Sequence, residues 1–226
     1  MRYGDFLGGV NAVTFMPYDL QLVDGPAGLR RRLVNTALSQ ASKRYYHDLA
    51  VYAKLLAQKN ALLRAPVVDG ALLDTYDDQL APVGGRLAGE RAAYLRRLST
   101  EAAAVHARWV GASPALRVRY EPSPPIDDES PAAIEGGLRS ALVRMRAAEL
   151  ARRTALVGPH RDDVALALDD EPLARFGSQG QQRTAVLAIK AAEYALLQRA
   201  TGEAPLLLFD DVLSELDLDR RRAFLE

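Results

Sequence analysis

Four apolar residues in a row, Leu206-Leu207-Leu208-Phe209, stop at two acids, Asp210 and Asp211. An unbroken apolar run of that length is the form of a parallel strand buried on both faces, and such a strand delivers the residues at its end to the carboxyl edge of a sheet. That edge is where open α/β proteins bind their ligands. The preceding chain fits the same layer. Val164 to Leu168 alternates like a strand and Gly180 to Arg199 has helical spacing, so residues 154–226 read as strand and helix in alternation. The plain alternative is a core strand that happens to leave into acidic loop residues.

The middle of the chain has a different character. From Gly28 to Arg64, the residues Tyr45, Leu49, Tyr52, Leu56 and Leu63 recur at helical spacing among lysines and arginines, which predicts two amphipathic helices in succession. After Pro66 and Gly70, the residues Leu80, Val83, Leu87, Tyr94, Leu98, Val105 and Trp109 predict a long helix with one apolar face. Leu116 to Tyr120 reads as a short strand, and the proline- and acid-rich stretch 122–129 as a surface loop. Ser130-Pro131 then opens a helix expected to reach about Arg153, with the hydroxyl capping free amides and proline at the first helical position. Ahead of these elements, Val10 to Phe15 is β-prone while Pro17 and Gly25-Pro26 are breakers, so residues 9–23 read as a strand and a loop. The expected plan is α/β: residues 1–26 and 154–226 are parts of one domain, and residues 27–153 are a mostly helical insertion. No stretch carries the unbroken heptads of a long coiled-coil arm.

Composition narrows the class. The chain has 226 residues, 49% of them hydrophobic, enough for one large domain or two smaller ones with real cores. Its formal charge is zero, so any contact with nucleic acid needs a local patch. Arg30-Arg31-Arg32 and Arg220-Arg221-Arg222 are the densest basic clusters, with solvated helix faces as the plainer reading of both. The lack of cysteine excludes a disulfide framework and a thiolate zinc site, and three scattered histidines make no metal cluster. No apolar run approaches the roughly 20 residues of a membrane span, and the N-terminus does not read as a leader. The expected location is cytoplasmic.

Two polar features carry chemistry. Asp210, at the strand tip, suits Mg²⁺, a hard cation that takes oxygen ligands, and Asp211 could orient or deprotonate an attacking water. Upstream, Phe176-Gly177-Ser178-Gln179-Gly180-Gln181-Gln182-Arg183-Thr184 leads into an apolar helix. A serine hydroxyl, free amides and the positive end of a helix dipole together suit a phosphate, while a polar helix cap is the plain alternative for the loop taken alone. ABC-type ATPases place a Ser-x-Gly-Gln loop and its helix immediately before an acid-tipped strand. Ser214-Glu215-Leu216-Asp217, behind that strand, looks like their D-loop.

Three segments make the resemblance specific. Gly158-Pro159-His160-Arg161-Asp162-Asp163, then Ser178 to Thr184, then Asp210-Asp211-Val212-Leu213-Ser214-Glu215-Leu216-Asp217 closely resemble the three C-terminal motifs of the RecF family, in their usual order and spacing. Phe15-x-Pro17-x-Asp19-Leu20, the run Gly25 to Arg32, and Gln58-Lys59-Asn60 with Leu62-Leu63 also look like RecF. The resemblance covers essentially the whole chain, with Val67 to Glu149 matched by pattern more than by motif.

The resemblance implies part of a P-loop ABC-type ATPase head, in which two heads sandwich two ATP molecules. Ser178 and Gly180 would contact the γ-phosphate of a nucleotide held by a partner, with Gln179, Gln181 and Gln182 shaping their loop. Asp210 would organise Mg²⁺, Asp211 would be the base or water-orienting group, and Asp217 would cross the dimer interface. His160 precedes a strand, and a hydrogen-bonded structural role is as good a reading for it as a proton shuttle. For the parent protein the resemblance implies DNA replication and repair work: binding at duplex DNA and gapped or single-strand junctions, ATP-dependent homodimerisation, slow hydrolysis, and RecR and RecO as partners. Arg30, Arg31 and Arg32 are the DNA-contact candidates. The pattern G-x-x-x-x-G-K-S/T does not occur, and Gly4-x-x-x-Gly8-Gly9 lacks the lysine. RecF proteins carry that loop near their start and continue past the D-loop to a switch histidine, so the expectation is a chain cut short at both ends and inactive alone. The alternatives are a non-catalytic interaction module or the head of another chromosome-organising or nuclease-linked ATPase.

Overall fold

A computed structural model of the chain describes residues 10–210. Its elements are β1 (Ala12–Phe15), a 3-10 turn (Pro17–Leu20), α1 (Gln21–Asp24), α2 (Ala27–Ala41), α3 (Lys43–Leu63), α4 (Gly70–Val110), β2 (Leu116–Glu121), α5 (Pro131–Arg152), β3 (Asp163–Leu168), β4 (Glu171–Pro172), α6 (Leu173–Phe176), α7 (Gln179–Thr201) and β5 (Leu206–Phe209). They fall into two units. One is made of residues 10–43, 94–120 and 164–210, and the other of residues 44–93 and 121–163. The helical insertion expected over 27–153 is therefore smaller and discontinuous. Helical periodicity shows that a face is buried without showing against what, and α2 and residues 94–110 of α4 belong with the strands.

In the first unit, which we call the head unit, β1 and β5 pair in parallel, with Ala12 opposite Leu206 and Phe15 opposite Phe209. Val13 and Phe15 face a small core completed by Leu187 and Leu197 of α7, with Trp109, Tyr194 and Phe209 packed around it. The Phe15 and Phe209 rings stack with centroids 4.8 Å apart, a geometry that adds to area burial. Gln40 of α2 clamps β1: its Oε1 accepts from the Ala12 amide at 2.7 Å and its Nε2 donates to the Ala12 carbonyl at 3.1 Å. A second sheet has the order β2-β3-β4, with β3 and β4 antiparallel. Asp169 turns the chain between them at φ 52°, and its carboxylate accepts from the Ala115 amide at 2.9 Å.

Two local expectations are corrected. The stretch read as strand and loop contains the 3-10 turn and α1 after β1. Pro17 presets the first helical φ, and the Asp19 carboxylate accepts from the Met16 amide at 2.8 Å. The run Leu206 to Phe209 is parallel as expected, yet it is not buried: Leu206, Leu207 and Leu208 are 56%, 38% and 48% exposed. Among the described residues β5 pairs with β1 alone, and a two-stranded sheet cannot cover both of its faces.

The second unit packs α3, residues 70–93 of α4, α5 and the segment after it. Ala81, Leu138, Ala141, Leu142 and Val157 form a buried cluster. Gly84 and Gly85 let helices approach closely, because a Cβ at Gly84 would meet Leu138 Cδ2 at 2.6 Å and one at Gly85 would meet the Glu135 Cα at 3.1 Å. Charges are also buried here. The Lys59 ammonium is fully enclosed, 2.7 Å from Asp77 and 2.6 Å from Glu149, and Arg146 reaches Asp77 at 2.8 Å. Next to it, Asn60 Oδ1 accepts from the Ala155 amide at 2.7 Å. Arg91 is 3% exposed and donates to the Pro159 carbonyl at 2.6 Å, to Asp162 at 2.7 Å and to the Tyr45 hydroxyl at 3.0 Å. The other Asp162 oxygen accepts from the Ser123 amide. Gly158 sits at φ +126°, with a would-be Cβ 2.4 Å from the Tyr52 hydroxyl, while His160 Nδ1 lies 2.8 Å from that same hydroxyl. Thus the Gly158–Asp163 segment is held by Arg91, Tyr52 and Ser123.

Removing one member of a buried charge cluster leaves the others uncompensated. Lys59→Met should therefore lower stability by about 3–5 kcal/mol in urea unfolding, against less than about 1 kcal/mol for Arg139→Ala, whose partners are exposed. Similar losses for the two variants would refute the role given to Lys59.

Candidate nucleotide-capping site

Ser178 opens α7 as its N-cap. Its Oγ accepts from the Gln181 amide at 3.3 Å, and Gln181 Oε1 accepts from the Ser178 amide at 2.8 Å, a reciprocal capping box. Gln182 turns back on the entering loop, donating to the carbonyls of Gly177 at 3.1 Å and Leu173 at 3.3 Å. Thr184 donates to the Gly180 carbonyl at 2.8 Å. Gln181 and Gln182 therefore fix the loop, while the first amides of the helix, at Gln179 and Gly180, have no intrahelical acceptor. Ser178, Gln179 and Gly180 are all exposed.

The two glycines differ in kind. A Cβ at Gly177 would meet Leu173 Cδ1 at 2.6 Å and the Leu173 carbonyl at 2.7 Å, so glycine is required there by packing. At Gly180 nothing lies within 4 Å. Among the described residues nothing asks for glycine at that position, and an open side with free amides, a hydroxyl and a helix dipole fits an anionic phosphate brought from outside.

Asp210 follows β5, its amide donating to the Phe15 carbonyl at 3.0 Å, and the residue is exposed. Asp211 and Asp217 lie outside the described residues, as does the rest of 211–226. Among the described residues no cluster of three or more His, Cys, Asp or Glu could hold a metal. Ser178 and Asp210 belong to the same unit and do not meet within it. Lys190 Nζ lies 6.0 Å over the Phe15 ring, and Ser178 is twelve residues earlier in the chain, about 18 Å along the axis of α7.

The basic cluster also separates. Arg30 donates to the carbonyls of Leu22 at 3.0 Å and Gly25 at 2.8 Å, so it ties α1 to α2. Arg31 is half-buried and Arg32 exposed. Sequence reasoning passed over one pair, Lys190 and Glu193, both buried on α7 and 2.5 Å apart. Burial pushes the Glu193 carboxyl upward, with the Lys190 charge opposing that rise. The available signal was two charges three residues apart in an otherwise apolar helix.

No protein-family model matches the chain. It is 43% identical over 229 residues to the DNA replication and repair protein RecF of a Cyanothece species, covering 100% of this chain and 61% of that protein. It is likewise 43% identical over 222 residues to RecF of Symbiobacterium thermophilum, covering 97% and 59%. A solved structure of the recombination mediator protein RecF-ATP, in the RecFOR pathway, superposes with a TM-score of 0.89 at 31% identity, covering 96% of this chain and 59% of the other. The fold, an acid-tipped parallel strand beside a serine-capped helix with a separate helical unit, is that of an ABC-type ATPase head. Within that class the chain is similar in sequence and fold to RecF proteins. It spans about three-fifths of the length of the relatives it matches. No helix among the described residues is long and apolar enough to cross a membrane.

With open space around its Cβ position, Gly180→Ala should raise the stability of this chain by about 0.5–1 kcal/mol through helix propensity. Thermal unfolding checks this, and a loss of stability would mean that the loop itself needs the glycine.

Proposed function

We propose that this chain provides the capping half of an ATP-driven clamp in a DNA replication and repair protein. The observation that carries the reading is the open, serine-capped start of α7, with Gly180 facing open space. A loop that is held in shape by its own glutamines, with one side left clear, suits a γ-phosphate presented by a second head. In this reading Ser178 and Gly180 donate to that phosphate, Gln179 borders it, and Gln181 and Gln182 keep the loop in shape. ATP then acts as interface glue between two copies.

Asp210 would hold Mg²⁺, Asp211 would orient or deprotonate the attacking water, and Asp217 would reach across the dimer. Because aspartate is shorter than glutamate, Asp211 fits slow, switch-like hydrolysis. Closed on one another, two heads would bind duplex DNA and gapped or single-strand junctions. Arg30, Arg31 and Arg32 are the proposed phosphate contacts, with Arg32 the exposed one of the three. RecR and RecO are the proposed protein partners, and the cytoplasm the proposed location.

The test uses the chain extended to the length of its relatives, with a phosphate-binding loop. Ser178→Arg should abolish ATP-driven dimerisation in sedimentation while leaving ATP binding per head nearly intact. Loss of binding itself would contradict capping in trans. Gly180→Ala should weaken the dimer even as it stabilises the fold, an opposition that a purely structural glycine cannot produce. For Asp211→Asn, hydrolysis should fall by roughly 10²-fold or more with the ATP-bound dimer persisting, and unchanged turnover would remove Asp211 from the chemistry.

A further inference from the structure

A cleft of about 460 Å³ opens in the head unit between α2, α4 and the end of α7. It is remote from the phosphate-capping loop: Glu193, the first α7 residue to line it, is fifteen residues past Ser178, about 22 Å along the axis. Its volume lies within the range of small-molecule sites. The walls are aliphatic and partly small, with Ala37, Leu38 and Ala41 on one side and Leu196, Leu197 and Ala200 on the other.

Tyr94, Arg97 and Glu193 are among the residues that line the cleft. Tyr94 is 6% exposed, and among the described residues its hydroxyl has no hydrogen-bond partner. Folded proteins rarely leave a buried hydroxyl unmet, because it loses its water and gains nothing in return. Glu193 and Arg97 both act on that hydroxyl: burial pushes its proton affinity well up, Glu193 adds to the rise and Arg97 opposes it. The carboxylates of the cleft are already matched, Glu193 by Lys190 at 2.5 Å and Glu101 by Arg199 at 2.7 Å. Arg97 is exposed and, among the described residues, has no carboxylate partner. The surplus charge is positive.

We propose that this cleft binds a small amphipathic monoanion, its apolar body against Leu38, Leu196 and Leu197 and its anionic oxygen accepting from the Arg97 guanidinium. The Arg97 guanidinium, beside two paired carboxylates, suits a negative charge. A cation would find no unmatched carboxylate. The site owes nothing to the nucleotide reading, which can fail without affecting it.

The test titrates the chain with 4-phenylbutanoate by isothermal calorimetry and ligand-observed NMR, with 4-phenylbutylamine as the charge-reversed control. Saturable one-to-one binding of the carboxylate is expected, about tenfold or more tighter than the amine. Arg97→Glu should weaken it at least about tenfold, and Ala200→Phe, which fills the cleft from an exposed position, should abolish it. Tyr94→Phe should leave both binding and fold stability unchanged, since the enclosed hydroxyl has no internal partner among the described residues and does not reach the cleft. If Tyr94→Phe unfolds the chain, the two exposed variants still decide. Leu207→Lys, on the open strand, should leave binding unchanged. Equal affinity for acid and amine, no saturable binding, indifference to Ala200→Phe, or loss of binding in Leu207→Lys would each overturn the proposal.

Discussion

The head unit depends on one non-local pairing, β1 with β5. Closing a loop of nearly 200 residues to place Ala12 beside Leu206 costs on the order of 5 kcal/mol of chain entropy, and four backbone steps of parallel ladder do not offset that alone. The stacked Phe15 and Phe209 rings, the Leu187 and Leu197 contacts from α7 and the two-pronged Gln40 clamp supply the remainder. Asp210 owes its place to this closure, since its amide is held by the Phe15 carbonyl one step beyond the last pair. An acid tip on an unpaired strand would have no defined position from which to hold a cation.

Much of this was legible in the sequence, for reasons that differ by element. The long helices announce themselves by period, and Ser130 and Ser178 mark helix starts because a hydroxyl before free amides has a local reason to sit there. Partnership was not legible. Residues 27–41 and 94–110 have the same helical spacing as the rest of the middle, yet they pack with the strands, and periodicity is blind to which surface a stripe covers. Lys59 likewise reads as one more cation on an amphipathic helix until Asp77 and Glu149 are found around it. Of the candidate site, the loop and its glutamine scaffold were readable as a motif. The contrast between a crowded Gly177 and an open Gly180 needed coordinates.

The second unit shows how polar residues can specify a packing that apolar ones leave degenerate. Arg91 draws Tyr45, Pro159 and Asp162 into one cluster, and Asp162 passes the constraint to Ser123. Each link is directional, and a slip of one residue in any of these segments would strand a desolvated charge. The desolvation cost is the reason such clusters hold a single arrangement. A histidine and two acids between Gly158 and Asp163 invite a catalytic assignment, whereas the hydrogen bonds here are those of a joint.

The exposed leucines of β5 have a practical meaning for anyone handling this chain. Leu206, Leu207 and Leu208 line a strand whose outer edge has no neighbour among the described residues, and an open edge carrying aliphatic side chains is a template onto which another molecule's strand can add. Concentrated solutions should thus be limited by intermolecular sticking at this strand well before the helices loosen. The remedy is a surface lysine at that edge rather than a stronger core.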